Sequence, residues 1–233
     1  MGKIGCGYGS EWHLLRYLGY HRSVLEEEIL KNTGGDQVTW LDFKFSNRNE
    51  PLNRDREWKG VEFLDERTQK EWKAWWPQTG NIQNWDAVGR LHIGDSVEWL
   101  LFEAKAHINE LKNGCGAKSK ESKEKIVSNF METMKSFNVK DAPLKNWLEP
   151  YYQLCNRLAV LHFLHCECKP PVTSRLIMIY FYGDQVTSKN CPQSLEEWKT
   201  ELMLMYDWVG LDPKSALSDK IHTIFLSVNP NVN

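Results

Sequence analysis

NWDAVGRLHIGDSVEWLLFEAKA, residues 84–106, is the stretch of the chain that decides the fold. Apolar residues dominate two runs, 85–93 and 97–106, on either side of the dipeptide Gly94-Asp95. A glycine-containing pair between two such runs is typical of a two-residue β-hairpin loop. The stretch therefore predicts two antiparallel strands joined by a tight turn.

The predicted loop also predicts which residues of the two strands lie opposite each other. If Gly94 and Asp95 form the whole loop, Ile93 pairs with Ser96. The same register, continued along both strands, places Asp86 opposite Glu103 with Cβ atoms roughly 5 Å apart. Two like charges at that distance destabilise a sheet, whereas a divalent cation bound between them reverses the effect. Mg²⁺ prefers a few carboxylate oxygens and keeps several waters, so the pair predicts a metal site.

A lysine accompanies these two acids. Alternate residues of a strand share a face, so Glu103 and Lys105 point to one side of the sheet and Ala104 points to the other. An ammonium group beside a metal-bound water orients that water and stabilises the charge that builds on a phosphoryl group. The pattern favours hydrolysis of a phosphodiester, with Asp86, Glu103 and the carbonyl oxygen of Ala104 as metal ligands.

An acid on one strand followed by Glu103-Ala104-Lys105 on the next resembles the active-site motif of the PD-(D/E)XK nuclease superfamily. Trp85 stands where a proline often precedes the acid, Asp86 in this chain. The resemblance implies a restriction-endonuclease-like αβββαβ core, Mg²⁺ or Mn²⁺ as cofactor, and nucleic acid, with DNA expected, as substrate. In RecB-like branches a glutamine of the following helix lies near the site, which is the position of Gln153. In some members a glutamate of the first helix completes metal binding, which is the position of Glu11.

The rest of the chain predicts one mixed α/β domain over residues 1–233. Helical spacing or capping signals predict helices over 11–31, 125–137, 150–165 and 195–208, with Ser10 and Ser194 as caps. Alternating or apolar runs predict further strands over 38–45, 176–182 and 221–228. The αβββαβ core then carries an extra C-terminal helix and strand. Residues 57–78 remain without an assignment.

Composition limits the classes of partner. The net charge is −2, from 29 Lys and Arg against 31 Asp and Glu, so contact with nucleic acid needs a local basic patch. The lysines between residues 112 and 125 are one candidate. The chain shows no secretory leader and no apolar run long enough for a membrane span, which favours a soluble, cytoplasmic protein that contacts no membrane. The oligomeric state stays open, a homodimer included.

The main alternative is an interaction protein that keeps the nuclease fold without turnover. The tryptophan-rich segment 58–76 favours it modestly, because aromatic side chains stack on bases or anchor protein partners. Two further sets of residues are weaker candidates for a functional site. Asp42-Phe43-Lys44 repeats the Asp-x-Lys pattern, but Asp36 precedes it too closely for two paired strands. His162, His165, Cys166 and Cys168 offer zinc ligands in a spacing that fits no closed site.

Overall fold

A computed structural model describes residues 9–41, 57–79 and 82–230 of the chain. The helices are α1 (Ser10–Gly19), α2 (Arg22–Thr33), α3 (Glu66–Trp75), α4 (Lys120–Ser136), α5 (Lys145–Leu148), α6 (Tyr152–His162) and α7 (Leu195–Val209). The strands are β1 (Gln37–Trp40), β2 (Trp58–Lys59), β3 (Asn84–Trp85), β4 (Ala87–Ile93), β5 (Ser96–Lys105), β6 (Ser174–Tyr182) and β7 (Ile221–Ser227). Within the described ranges no helix combines the length and the apolar content that a membrane span needs.

Five of the strands form one sheet in the order β1-β4-β5-β6-β7, and β2 pairs with β3 in a separate two-stranded sheet. The neighbours β1, β4 and β5 are antiparallel, whereas β6 is parallel to β5 and β7 is parallel to β6. The tight turn after β4 reverses the chain, while the helical segments after β5 and β6 return it for parallel pairing. The predicted mixed α/β class is confirmed.

Helices cover both faces of the large sheet. One face buries Leu100, Phe102 and Ala104 of β5 against α1 and α2. The other face carries Leu101 of β5 and packs against α3, α4, α6 and α7. Because helices cover both faces of the sheet, residues 100–105 of β5 are buried on either face, whereas Ser96 and Val97 at its start are exposed. Any charged side chain at its end therefore needs partners supplied by a neighbouring element.

The predicted hairpin register is confirmed. Ile93 pairs with Ser96 across Gly94 and Asp95, and Ala87 pairs with Phe102. Gly94 has a φ of 54°, the left-handed conformation that glycine adopts without strain.

The first predicted strand, over 85–93, is interrupted at Asp86. The Asp86 carboxylate accepts the amide hydrogen of Ala104 at 2.7 Å, so its side chain occupies a donor that a continuing strand would have used. The two residues before it leave the large sheet, and Trp85 pairs with Trp58 instead. The aspartate side chain thus replaces a backbone acceptor in the ladder.

Several predicted helix limits were wrong. The helix predicted over 11–31 is two helices, α1 and α2, separated at Tyr20 and His21 after the helix-weakening Gly19. Ser10 does not cap α1, because Gly9 holds the cap position and the Ser10 hydroxyl instead donates to Glu110 at 2.9 Å.

The helix predicted over 150–165 also has different limits. It begins at Tyr152 as α6 and continues after His162 as a π-helical turn, Phe163–Glu167. Ser194 caps α7 as predicted, accepting the amide hydrogen of Glu197. Residues 38–40 of the strand predicted over 38–45 lie in β1, Leu41 follows the strand, and residues 42–45, with Asp42 and Lys44, lie outside the described residues.

The unassigned segment 57–78 contains β2 and α3. Its tryptophans lie largely inside the protein: Trp72 and Trp76 are buried, and Trp58 and Trp75 are half-buried against the same core. Trp72 and Trp76 stack with ring centroids 5.6 Å apart. These rings therefore form core, and the structure removes the support that this segment lent to an aromatic binding surface.

Candidate active site

Glu103 is the centre of a buried polar cluster at the carboxyl end of β5. Its side chain shares the face of Leu101, the face that packs against α6, and only 2% of the residue is exposed. Its Oε1 accepts Gln153 Nε2 at 2.9 Å and also contacts the ammonium group of Lys105. Its Oε2 accepts Arg157 Nε at 2.7 Å and lies 2.6 Å from Arg157 Nη2. Both carboxylate oxygens are thus satisfied by protein donors.

The charges of this cluster compensate the burial of Glu103. Burial alone would raise the pKa of its carboxyl, but Arg157 and Lys105 outweigh that effect and hold the pKa below the ordinary value. Burial alone would lower the pKa of the Lys105 ammonium, and the charges of Glu103 and Asp86 raise it instead. Glu103 and Lys105 are therefore both charged at neutral pH.

Asp86 lies in the bend between β3 and β4, near enough to Glu103 for the two charges to interact. The predicted direct pairing of the two residues is not formed, because the ladder ends at Ala87 and Phe102 and the Asp86 amide donates to the carbonyl oxygen of Phe102. Asp86 Oδ2 accepts the Ala104 amide, and the pKa of Asp86 is raised to about 8 by burial and by the negative charge of Glu103. Lys105 and Arg157 lower that pKa without cancelling the effect. The cluster therefore contains one carboxylate that is well compensated and one that is not.

Gln153 and Arg157 reach Glu103 from α6, where they are one helical turn apart and share a face. Asn113 holds the start of that turn, since its side-chain oxygen accepts the Gln153 amide hydrogen at 2.6 Å. The resemblance implied a position near the site for Gln153, whereas Arg157 was not predicted as a site residue. In the structure both side chains donate to Glu103.

Glu11 approaches the same cluster from the first turn of α1. Burial of its carboxyl, and then the charges of Glu57 and Glu110, raise its pKa, while Lys105 lowers it. Glu110, which the sequence analysis missed, fixes this arrangement: its Oε2 accepts the Ala106 amide at 2.6 Å and its Oε1 accepts the Ser10 hydroxyl. It thereby ties α1 to the end of β5. The His107-x-x-Glu110 spacing of a capping box was the available signal.

These residues fit a hard divalent cation in charge and in donor chemistry. Burial is the main reason that the pKa values of Asp86 and Glu11 are raised, and the charges of neighbouring carboxylates raise both further. Mg²⁺ needs only one or two protein carboxylates besides water and substrate oxygens. In ranges 9–41, 57–79 and 82–230, however, no three His, Cys, Asp or Glu residues are arranged together as a metal-binding group. The carbonyl of Ala104 as a ligand stays a prediction.

The raised pKa of Asp86 predicts a pH dependence of stability. Between about pH 4, where a free aspartate ionises, and about pH 8, the unfolded chain has released this proton while the folded protein retains it. Stability therefore falls as pH rises through that window. Asp86→Asn removes the titration and keeps an acceptor for the Ala104 amide. In urea unfolding, the variant is expected to gain stability over the wild type steadily from pH 5 to pH 8. A pH-independent difference contradicts this.

The comparisons with known proteins add no assignment. No protein-family model matches the chain, and no curated protein or solved structure shows significant similarity to it. The chemistry of the site is therefore inferred from its own residues and their geometry.

Proposed function

We propose that this protein is a metal-dependent nuclease that hydrolyses phosphodiester bonds in nucleic acid, with DNA as the substrate and the cytoplasm as the compartment. The single observation that carries the proposal is that Asp86, Glu103 and Lys105 lie in one buried cluster, in which the charge of Glu103 acts on Asp86 and Lys105 contacts Glu103. The three groups come from the bend before β4 and the end of β5. Two adjacent carboxylates and an ammonium group form the minimum set for metal-assisted attack of water on phosphorus.

Asp86 and Glu103 are the residues that would hold Mg²⁺ or Mn²⁺, with Glu11 and the Ala104 carbonyl available on either side. The bound ion supplies Lewis acidity and a water of lowered pKa. Lys105, whose pKa is raised, stays protonated at neutral pH, so it orients the water and stabilises the phosphoryl oxygens by charge. Gln153 keeps Glu103 in position through a 2.9 Å hydrogen bond.

The order of elements supports the same proposal. A helix precedes β1, the antiparallel strands β4 and β5 follow, and helices lead to β6, which runs parallel to β5. That order agrees with the αβββαβ core that the PD-(D/E)XK resemblance implies, followed by α7 and β7. The Glu-x-Lys sequence ends the central strand, β5, and Asp86 directly precedes β4 beside it, an arrangement similar to the one that the resemblance implies.

The test is cleavage of single- and double-stranded DNA and RNA in the presence of Mg²⁺ or Mn²⁺. We expect cleavage of at least one substrate, loss of cleavage in EDTA, and loss in Glu103→Ala. Glu62→Ala is a control, since Glu62 lies in the turn after β2 and is not part of the cluster. Absence of cleavage on every substrate, or cleavage that survives Glu103→Ala, contradicts the proposal.

One observation favours the alternative of a nuclease-fold interaction protein without turnover. Both oxygens of Glu103 are already bonded to side chains, so the metal-binding group is not assembled in this arrangement. Calorimetric titration with Mn²⁺ separates the two functions. Binding that is lost in Asp86→Asn supports the enzyme, whereas no binding to the wild type supports the interaction protein.

A further inference from the structure

Arg157 is nearly as buried as the carboxylate that it binds, with 4% of the residue exposed. Its guanidinium group makes three contacts: Nε and Nη2 to Glu103 Oε2, and Nη2 to the carbonyl oxygen of Asn84 at 2.6 Å. Its Cζ also lies 4.9 Å from the centre of the Trp85 ring. Two of these anchors belong to β3, immediately before Asp86. Arg157 therefore keeps its place beside Asp86 even without Glu103.

The two oxygens of Glu103 differ in their partners. Lys105 and Gln153 share Oε1, while Oε2 is held by Arg157 alone among the described residues. A cation that binds Glu103 through Oε2 has to displace one side chain, Arg157. A cation that binds through Oε1 has to displace two, Lys105 and Gln153. A guanidinium released from Glu103 would still have its bond to the Asn84 carbonyl oxygen and would have N–H donors free to bind another anion. The planar fork of a guanidinium matches two oxygens of a phosphate group.

We propose that Arg157 exchanges its partner during the reaction cycle. It neutralises Glu103 in the metal-free protein, and it binds the phosphodiester once a divalent cation has taken Glu103 Oε2. This inference rests on the proposed function, since it assigns Arg157 a role at the same site. Arg157 acts in two steps: as a competitor of the cation before substrate arrives, and as a phosphate ligand afterwards. Removal of Arg157 should therefore strengthen metal binding and weaken phosphate binding.

The first experiment measures Mn²⁺ affinity by calorimetry without substrate. Arg157→Gln removes the competing charge and is expected to bind Mn²⁺ about tenfold more tightly than the wild type, a change of about 1.4 kcal/mol. At saturating Mg²⁺, the same variant is expected to bind inorganic phosphate about tenfold more weakly. Arg175→Gln is the matched control, because Arg175 forms a comparable ion pair with Glu98 elsewhere on the sheet. It is expected to change neither affinity.

The second experiment uses the wild-type protein and so does not depend on folding of the variant. In a sample with ¹⁵N-labelled arginine, the Nε–H resonance of Arg157 is identified by its absence in Arg157→Lys. Addition of Mg²⁺ is expected to shift this resonance, and addition of inorganic phosphate to shift it again.

The outcomes separate the two proposals. Mn²⁺ binding to the wild type that is not tightened in Arg157→Gln, or a resonance that does not respond to bound Mg²⁺, overturns the inference and leaves the proposed function standing. If neither protein binds Mn²⁺, the proposed metal-dependent function fails, and the inference fails with it. Tighter Mn²⁺ binding with weaker phosphate binding supports both.

Discussion

Replacing Glu103 by glutamine is expected to lower the free energy of unfolding by about 3–5 kcal/mol, because it leaves two buried cations without their shared carboxylate. Lys105 and Arg157 are 8% and 4% exposed, so water does not replace the lost charge. The glutamine amide has the same shape as the glutamate carboxylate. The loss of unfolding free energy is therefore caused by the missing charge and not by a cavity. The measurement is urea unfolding of both proteins at pH 7.

Glu98→Gln is the control for that loss. Glu98 lies on the same strand and pairs with Arg175 and Lys220, but 27% of the Lys220 side chain is exposed and Arg175 also donates to the carbonyl oxygen of Thr33. We therefore expect a smaller loss than at Glu103. Because the pKa of Glu103 lies below its ordinary value, the wild-type advantage should be lost as the pH falls below about 4. A loss below about 1 kcal/mol at pH 7 would be typical of a solvated ion pair and contradicts this account.

Replacing Lys105 by methionine is expected to reduce the rate of phosphodiester cleavage by about a thousandfold, the size of effect seen when one charge-stabilising group is removed. Methionine keeps an apolar stem in place of the lysine chain, so the change removes mainly the ammonium group. Mn²⁺ affinity should not fall, since both carboxylates remain and a positive charge that competes for them is removed. The readouts are single-turnover cleavage and calorimetry on the same preparations.

Lys220→Met is the matched control for this variant, because Lys220 also contacts a carboxylate, Glu98 at 3.5 Å, away from the cluster. It should retain wild-type cleavage. Cleavage by Lys105→Met within a few-fold of the wild-type rate shows that Lys105 is an ordinary ion-pair partner. The proposed chemistry would then lose the ammonium group to which it assigns stabilisation of the phosphoryl oxygens.

The central hairpin is the part of the fold that local sequence determines most completely. The glycine-containing loop and the alternation on both strands are short-range signals, so the pairing of Ile93 with Ser96 was predictable. The register is observed as far as the pair of Ala87 and Phe102, one residue short of Asp86, and the parity of β5 puts Lys105 on the same face as Glu103. The α7 helix was also predictable, because its capping residue, Ser194, directly precedes the helix and bonds to a residue of its first turn.

The interruption at Asp86 and the two-stranded sheet of β2 and β3 were not predictable in this way. A carboxylate that takes a backbone donor of the next strand leaves no pattern in the sequence, and Trp58 is far along the chain from Trp85. The division of the predicted first helix into α1 and α2 was not predictable either. The apolar residues of both helices are buried and keep the spacing of a single helix, as Leu14, Leu18, Leu25 and Ile29 show.

The sequence alone therefore determined the central hairpin and the shared face of Glu103 and Lys105 on β5, because strand periodicity and a tight turn act over neighbouring residues. Only the tertiary structure decided what surrounds them. Arg157 saturates Glu103 from α6, and Glu110 ties α1 to the end of β5. These contacts join residues distant in the chain, and their energies depend on burial, which no local pattern encodes.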